Sequence, residues 1–391
     1  MPPKVSVVIP TYNSGHTITE AVDSALAQTV RDVEIIVVDD GSTDNTRERL
    51  GSYMEAGKVR YLYQENQERS ATRNHGIEQS QSPYVAFLDA DDAWSPNKLE
   101  AQLGVLEKEP HTAMTYCDVM YIDEQGKPLH QTPPHQTDHD WHGGYIFNSL
   151  ILGNFVGTPS AVVVRRHCIP AEGFDLTLRQ GEDWHLWLKI AAYHPVVRVP
   201  EALCKFRVYA GNYAERVHNR NGQTAHLQIL DDLYERLNRE QFTQSLYTKA
   251  VSRALFEGAL IDLAVHHPEE ARRRLTEAYA HERDFFAADG PWREKLISFA
   301  EMLDQTGTPL AQTQAFIETF FENIPDTLDG CLPVRNQLMS NIFASRIFKS
   351  HHRHFDDYSI STFIQAARYN PAWLLNRGFL SLGLKQIFGY V

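Results

Sequence analysis

The 391-residue chain is poor in cysteine, in long apolar runs and in positive charge, and each shortage excludes something. Its 4 cysteines, Cys117, Cys168, Cys204 and Cys331, lie far apart and make no Cys-x-x-Cys pair. A zinc site is therefore not expected, and reduced thiols in a cytosolic chain are the simpler reading. No segment offers the ~18 uninterrupted apolar residues of a membrane span. Met1-Pro2-Pro3-Lys4 leads directly into an apolar strand, without the pattern of a signal peptide. Lys and Arg number 37 against 50 Asp and Glu, a formal net charge of −13. That balance argues against a nucleic-acid partner, whose phosphates call for an excess of cations. It also gives no general attraction to an anionic membrane, although local basic patches leave a peripheral contact with the inner face open.

Apolar residues make up 42% of the chain, enough for a core, and the length suits two domains. Val5 to Ile9 is a continuous apolar run ending at Pro10, as a buried parallel strand requires. Thr11-Tyr12-Asn13-Ser14-Gly15 then turns the chain into a helix reaching to the region of Gln28. Val33 to Val38 is a second buried strand, closed by Asp39-Asp40-Gly41-Ser42-Thr43-Asp44. Val59 to Tyr63 makes a third, followed by a helix from Ser70 to Gln79, and Tyr84 to Leu88 a fourth. Strand and helix alternate, which predicts an α/β fold with a mostly parallel sheet flanked by helices. Ligands of such sheets bind beyond the carboxyl ends of the strands. Pro10-Thr11, Asp39-Asp40 and Asp89-Asp91 all fall at such ends and should converge on one crevice.

The later chain reads as helices almost throughout. Leu227, Leu230, Leu233, Tyr234 and Leu237 keep a helical spacing, and so do Leu255, Ala259, Leu260 and Leu263. The expected division is an α/β domain over 1–215 and an all-helical domain, a bundle or loose array, over 216–391. Residues 211–222, rich in Asn, Gly and Arg, would form a linker or lid.

The run Ala86-Phe-Leu-Asp-Ala-Asp-Asp92 is the most telling feature. It carries three carboxylates, Asp89, Asp91 and Asp92, into one short turn. Like charges so close repel, and a cation that takes oxygen ligands, such as magnesium or manganese, relieves them. The competing reading is an acidic surface turn that caps a helix starting near Ser95.

Five segments, VSVVIPTYNSG (5–15), EIIVVDDGSTDNT (34–46), SATRNHGI (70–77), YVAFLDADD (84–92) and GEDWHLWLK (181–189), bear on the choice. Together the segments resemble, in order and spacing, the family-two glycosyltransferases with the GT-A fold, a Rossmann-like sheet flanked by helices. The resemblance covers roughly residues 4–210. It implies an inverting transferase that uses a nucleotide-diphosphate sugar, with a uridine diphosphate sugar the expected donor, and a divalent metal, manganese or magnesium. It further implies a glycan or lipid-linked acceptor and a place in surface polysaccharide synthesis. Carried onto this sequence, Asp40 accepts a hydrogen bond from a pyrimidine ring, with Pro10 and Thr11 presenting backbone groups to the base. Arg73 reaches the base or the phosphates, against a competing surface salt bridge, and Asn74 lines the same helix. Asp91 is the main metal ligand, with Asp89 on the metal or the ribose hydroxyl; Asp92 either joins them or caps the next helix. The metal offsets charge on the departing diphosphate. Asp183 is the base that takes the acceptor proton, with Glu182 in reserve; the alternative is two first-turn carboxylates that stabilise a helix N-terminus. Asp44 reads better as such a helix charge than as a ligand.

One stretch departs from the family. Arg207-Val208-Tyr209-Ala210-Gly211-Asn212 keeps the arginine that would face the diphosphate, but Tyr209 stands where a histidine is common. Two rival functions remain. A nucleotidyltransferase of similar topology would want a basic, Gly-rich loop after the first strand, and residues 11–15 hold no Lys or Arg. A catalytically inactive sugar-nucleotide-binding protein would not need Asp40, Asp89, Asp91 and Asp183 intact. Phe155, Trp141 and Trp184 either stack on an acceptor sugar or belong to the core. His130, His135, His139 and His142 mark a Pro-rich insertion, and His351, His352 and His354 a basic patch; neither has a metal-ligand spacing. Residues 371–391 form an apolar helix for either the helical core or a membrane surface.

Overall fold

The computed structural model describes residues 2–129, 143–209, 220–304, 310–352, 360–377 and 379–382. His130, His135, His139, Trp141, His142, the 211–219 segment, Arg353, His354 and residues 383–391 lie outside them. The chain divides into two compact units, residues 1–250 and 251–391.

The first unit is built on an eight-stranded sheet of order β3-β2-β1-β4-β7-β6-β8-β5. Its strands are β1 (Val5–Thr11), β2 (Val33–Asp39), β3 (Arg60–Tyr63), β4 (Tyr84–Phe87), β5 (Ala93–Trp94), β6 (Met114–Ile122), β7 (Val162–Arg165) and β8 (Val196–Arg207). The early helices are α1 (Ile18–Leu26), α2 (Thr46–Glu55), α3 (Glu68–Gln79) and α4 (Lys98–Lys108). Continuous Val and Ile runs put β1, β2 and β4 in the core, with Val7, Val8, Ile36, Val37 and Phe87 fully buried. β1 pairs in parallel with β2 and β4, and β2 with β3, as the alternation requires. β7 runs antiparallel to both β4 and β6, and β5 antiparallel to β8, so the sheet is parallel in its first half and mixed in its second. Nothing in a run of three valines and an arginine encodes its direction; the route of the chain through residues 143–161 does.

Helix α3 lies hard against β1 because Gly76 faces the strand. A Cβ there would fall 2.3 Å from Val8 Cγ1. α4 carries an unusual core residue. Lys98 is fully buried, its Nζ has no hydrogen-bond partner among the described residues, and it sits 4.1 Å from the centroid of the Trp94 ring. Burial pushes its pKa down.

Further on come α5 (Phe147–Leu150), α6 (Glu182–Ala191) and α7 (Arg220–Arg236). The composition becomes helical after about residue 215, and α7 falls within the first compact unit, residues 1–250. The reason lies in one buried face, Ile229, Leu230 and Leu233. Ile229 approaches Gly181, the His226 ring lies 4.9 Å from that of Trp184, and Asp232 Oδ2 is 3.1 Å from His185 Nε2.

The second unit is helical, without a strand, among its described residues, in keeping with the helical pattern of the sequence. It takes most of α8 (Gln244–Ala264), then α9 (Pro268–His281), α10 (Trp292–Asp304), α11 (Leu310–Glu322), α12 (Arg335–His352) and α13 (Ile360–Tyr369). Phe256, Phe285, Trp292 and Phe320 form its aromatic centre. The segment after α13 is a short 3-10 turn, Pro371–Leu375, broken at Asn376. Phe379 and Leu382 are buried while Leu374 and Leu375 are exposed, so the described part of that segment is divided between core and surface. Among the described residues no helix is long and apolar enough to cross a membrane.

Candidate active site

The carboxyl ends of β1, β2 and β4 lie side by side. Thr11 pairs with Asp39, and the Asp40 N–H donates to the Thr11 carbonyl at 2.9 Å. The two turns that follow β1 and β2 are stitched together. Asn13 Oδ1 accepts from the Thr43 N–H at 2.8 Å, the Ser14 N–H donates to Thr46 Oγ1, and the Gly15 N–H donates to Asp44 Oδ2. Asp44 also accepts from the Thr46 N–H at 2.9 Å, at the start of α2. Burial opposes its ionisation, but the bonds from Thr46 and Gly15 outweigh that and hold its carboxyl below the usual range. Asp44 is thus the helix-terminal charge expected of it. Asp39 is equally engaged, by the Ser42 N–H at 2.8 Å and the Tyr61 hydroxyl at 2.6 Å. Buried Asp40 directs Oδ1 to Gln64 Nε2 at 2.8 Å and to the Gln67 N–H at 2.9 Å.

After β4 the acidic turn is held open from two sides. The Asp89 N–H donates to Ser160 Oγ at 2.9 Å, and the Asp92 N–H returns to the Asp89 carbonyl at 3.0 Å. Burial first, and the Asp89 charge second, push Asp91 up to about 6. Asp92 is buried and raised well above the carboxylate range by burial and then by Asp91 and Asp89. Its Oδ1 accepts from the Arg207 N–H, and Oδ2 has no partner among the described residues. Asp92 caps no helix: α4 begins at Lys98, and Asn97 precedes it. Asp91 has no cation of its own among the described residues against the Asp89 charge, and the two carboxylates offer the kind of oxygen donors that a hard divalent cation takes. Among the described residues there is no cluster of three or more His, Cys, Asp or Glu that would hold such an ion unaided.

Arg207 ends β8 inside this turn. Its Nε donates to the Asp91 carbonyl at 2.8 Å, its Nη1 to the carbonyls of Asp123 and Glu124 at 3.1 Å each, and its Nη2 to Glu20. These contacts brace the turn and leave little of the fork for a diphosphate. Tyr209 lies near the same carboxylates: burial, then Asp91, push its phenol up to about 12. The His16 ring stands 6.4 Å from it, edge-on.

The second acidic element is α6. Gly181, at φ +71, turns the chain so that Glu182 and Asp183 open the helix. Glu182 is buried, and its Oε1 accepts from Arg73 Nη1 at 2.9 Å. The Nη2 of the same guanidinium donates to Asp89 at 2.7 Å. Burial alone would favour neutral Arg73, but Asp89 and Glu182 outweigh it and keep the guanidinium charged. Arg73 is no surface residue; it joins the acidic turn to α6. Asn74, next along α3, exchanges two 2.8 Å bonds with the backbone of Phe174. Asp183 keeps partial exposure while its carboxyl is enclosed by protein. Burial, then the Glu182 charge, lift it to about 7, and its Oδ1 accepts from the Trp184 N–H at 2.7 Å. Trp184 itself is core: it is buried, and its Nε1 donates to the Leu150 carbonyl at 2.8 Å. Phe155 is half-buried, 6.2 Å from Tyr116.

Residues 6–167 match the sequence profile of glycosyl transferase family 2. They are a family-two glycosyltransferase domain. The chain is 35% identical over 213 residues to an uncharacterized glycosyltransferase, RP339, of Rickettsia prowazekii, covering 53% of this chain and 65% of that protein. It is 29% identical over 187 residues to the UDP-Glc:alpha-D-GlcNAc-diphosphoundecaprenol beta-1,3-glucosyltransferase WfgD of Escherichia coli, covering 48% of this chain and 69% of that one. The chain spans between 32% and 65% of the length of the Rickettsia relatives it matches. Among solved structures, the mannosyltransferase PcManGT of Pyrobaculum calidifontis, with GDP-Man and Mn2+, superimposes at a TM-score of 0.49 and 20% identity over 83% of this chain and 87% of that one. The family profile takes in Asp40, Arg73, Asp89 and Asp91. Glu182, Asp183 and Arg207 lie beyond it, and the glycosyltransferase domain reaches them through the bonds of Arg73 and the acidic turn.

Sequence reasoning missed three members of this site. Ser160 carries no motif, and only the antiparallel course of β7 brings it under Asp89. Glu20 and Phe174 are ordinary helix and loop residues until Arg207 and Arg73 reach them.

Proposed function

We propose that this glycosyltransferase is inverting and moves a sugar from a nucleoside diphosphate donor, a uridine diphosphate sugar first, to a hydroxyl of a glycan or lipid-linked acceptor. The single observation that carries the reading is Asp183, a carboxyl lifted to about 7 at the head of α6 and tied through Glu182 and Arg73 to the acidic turn. A general base works best with a pKa near the working pH. Glu182, engaged by Arg73, is the weaker candidate for that task. Asp183 takes the acceptor proton as the hydroxyl oxygen attacks the anomeric carbon from the face opposite the diphosphate, and one displacement inverts the configuration.

Asp91, with Asp89, would hold a divalent metal, which supplies Lewis-acid neutralisation of the leaving diphosphate. Asp40 and the Pro10-Thr11 backbone lie at the strand ends where the nucleoside would sit, and the two stitched turns give that side its rigidity. A lipid diphosphate or polysaccharide acceptor draws support from the names of relatives, WfgD and the putative teichuronic acid glycosyltransferase TuaG of Bacillus subtilis. The helical unit, residues 251–391, would serve the acceptor or a partner.

The test is transfer and hydrolysis of uridine, guanosine and thymidine diphosphate sugars with manganese, with proton NMR of the new linkage. An α-linked donor should give a β-linked product. No turnover of any donor, or retention, would overturn the reading.

A further inference from the structure

We propose that Arg73 is a positioning residue for the transfer: one guanidinium holding Asp89 and Glu182 fixes the first turn of α6, and with it Asp183, against the acidic turn after β4. The inference rests on the transferase reading of Asp183. It departs from a donor-contacting Arg73, because both terminal nitrogens are already engaged, at 2.7 Å to Asp89 and 2.9 Å to Glu182.

The geometry is built for rigidity. Arg73 is 4% exposed, and its planar fork reaches two carboxylates that lie 16 and 109 residues away in the chain. A lysine ammonium is a point charge and cannot span both in the same manner. The guanidinium also lies 5.4 Å from the centroid of the Phe174 ring. That ring is itself fixed. Asn74 holds its backbone N–H and carbonyl, and it stands edge-on to Phe87 of β4 at 5.4 Å and to Trp187 of α6 at 6.1 Å. Gly173 makes the approach feasible, since a Cβ there would fall 2.3 Å from Asn74 Oδ1. Two neighbouring residues of α3 therefore clamp β4 to α6, one by charge and one through an aromatic plate. An inverting displacement needs the base and the leaving group at a set separation on opposite faces of the sugar. A misplacement of ~1 Å there costs about 10²-fold in rate.

The test uses the full chain carrying Arg73→Lys, which keeps the charge. Amide hydrogen exchange over residues 182–186 should quicken. Donor KM and the affinity for uridine or guanosine diphosphate with manganese should stay within ~threefold of wild type, while kcat falls about 10²-fold, the pattern of an interaction that acts in the transition state. A loss of nucleotide affinity of about tenfold or more would mean that Arg73 contacts the donor. Unchanged exchange in α6 would equally overturn the proposal. If Arg73→Lys folds poorly, Glu182→Gln, of the same shape but without the charge, carries the same comparison. A wild-type protein that turns over no nucleotide sugar would remove the transferase reading alone, since the exchange measurement still decides what Arg73 holds.

Discussion

Asp92 and Arg207, 115 residues apart in the chain, are joined by a 3.0 Å hydrogen bond from the Arg207 N–H to Asp92 Oδ1. The bond fastens the end of β8 to the turn after β4, and the Arg207 side chain then reaches the Asp123–Glu124 carbonyls and Glu20 from the same anchor. The third aspartate of the acidic turn is a structural member of it.

Arg207→Met should therefore cost stability before it costs nucleotide affinity. It strips donors from three backbone carbonyls and from Glu20. The acceptors are only partly buried or exposed, so water replaces some of what is lost, and urea unfolding should show a loss of ~1–3 kcal/mol in all. A stable variant with strongly weakened uridine diphosphate binding would instead make Arg207 a diphosphate ligand.

Asp183→Asn should bind nucleotide as wild type does and lose about 10²–10⁴-fold in transfer rate, since an amide cannot take the proton. The same variant should be the more stable protein at pH 8. A carboxyl raised to about 7 on folding stays protonated in the native state after the unfolded chain has released its proton, so its presence favours folding in acid and weighs against it as the pH rises from 3.8 toward 7. Scanning calorimetry should find the melting temperature up by ~2–4 °C for each kcal/mol so relieved. Wild-type turnover in Asp183→Asn, with loss in Glu182→Gln, would exchange the two roles.

The pH dependence follows with its sign. Asp183 works as a base only when ionised, so kcat should climb with pH and level off above about 7. Glu182 is the second cause of the raised value, after burial, so Glu182→Gln should move that limb to lower pH. If Asp91 is the metal ligand proposed above, the proton competes for it at about 6: manganese affinity by calorimetry should fall as the pH drops through that value. Asp91→Asn should flatten that dependence.

Gly76→Ala tests the close approach of α3 to β1. Its methyl would fall 2.3 Å from Val8 Cγ1, inside any tolerable contact, so α3 must shift. Overpacking of this kind costs ~1–3 kcal/mol. The shift would also carry Arg73, so the variant should lose transfer beyond its loss of stability, whereas Val8→Ala in the same background should restore part of both.

The strands of the first half were legible because each is a continuous apolar run flanked by turn residues, and a run buried on both faces looks the same wherever it sits. The acidic pair and the Glu182-Asp183 head of α6 were legible because chemistry and helix position agree. Arg73 and Arg207 were visible as site residues, but their tasks were not. Spacing says that an arginine lies on α3; it does not say that Asp89 and Glu182 arrive at its two nitrogens from opposite sides. The packing of α7 is hidden from sequence for a like reason. Its helical period gives Ile229, Leu230 and Leu233 as an apolar face, and periodicity cannot name the surface that covers it.

Lys98 has one more consequence. Acylating reagents attack an amine only where they touch it, and this amine is sealed beneath Trp94 of the edge strand β5. Its modification must wait for the layer to part, so the rate at which Lys98 becomes labelled would clock the opening of the α/β unit. Exposed lysines such as Lys58 and Lys108 would supply the internal standard on the same chain.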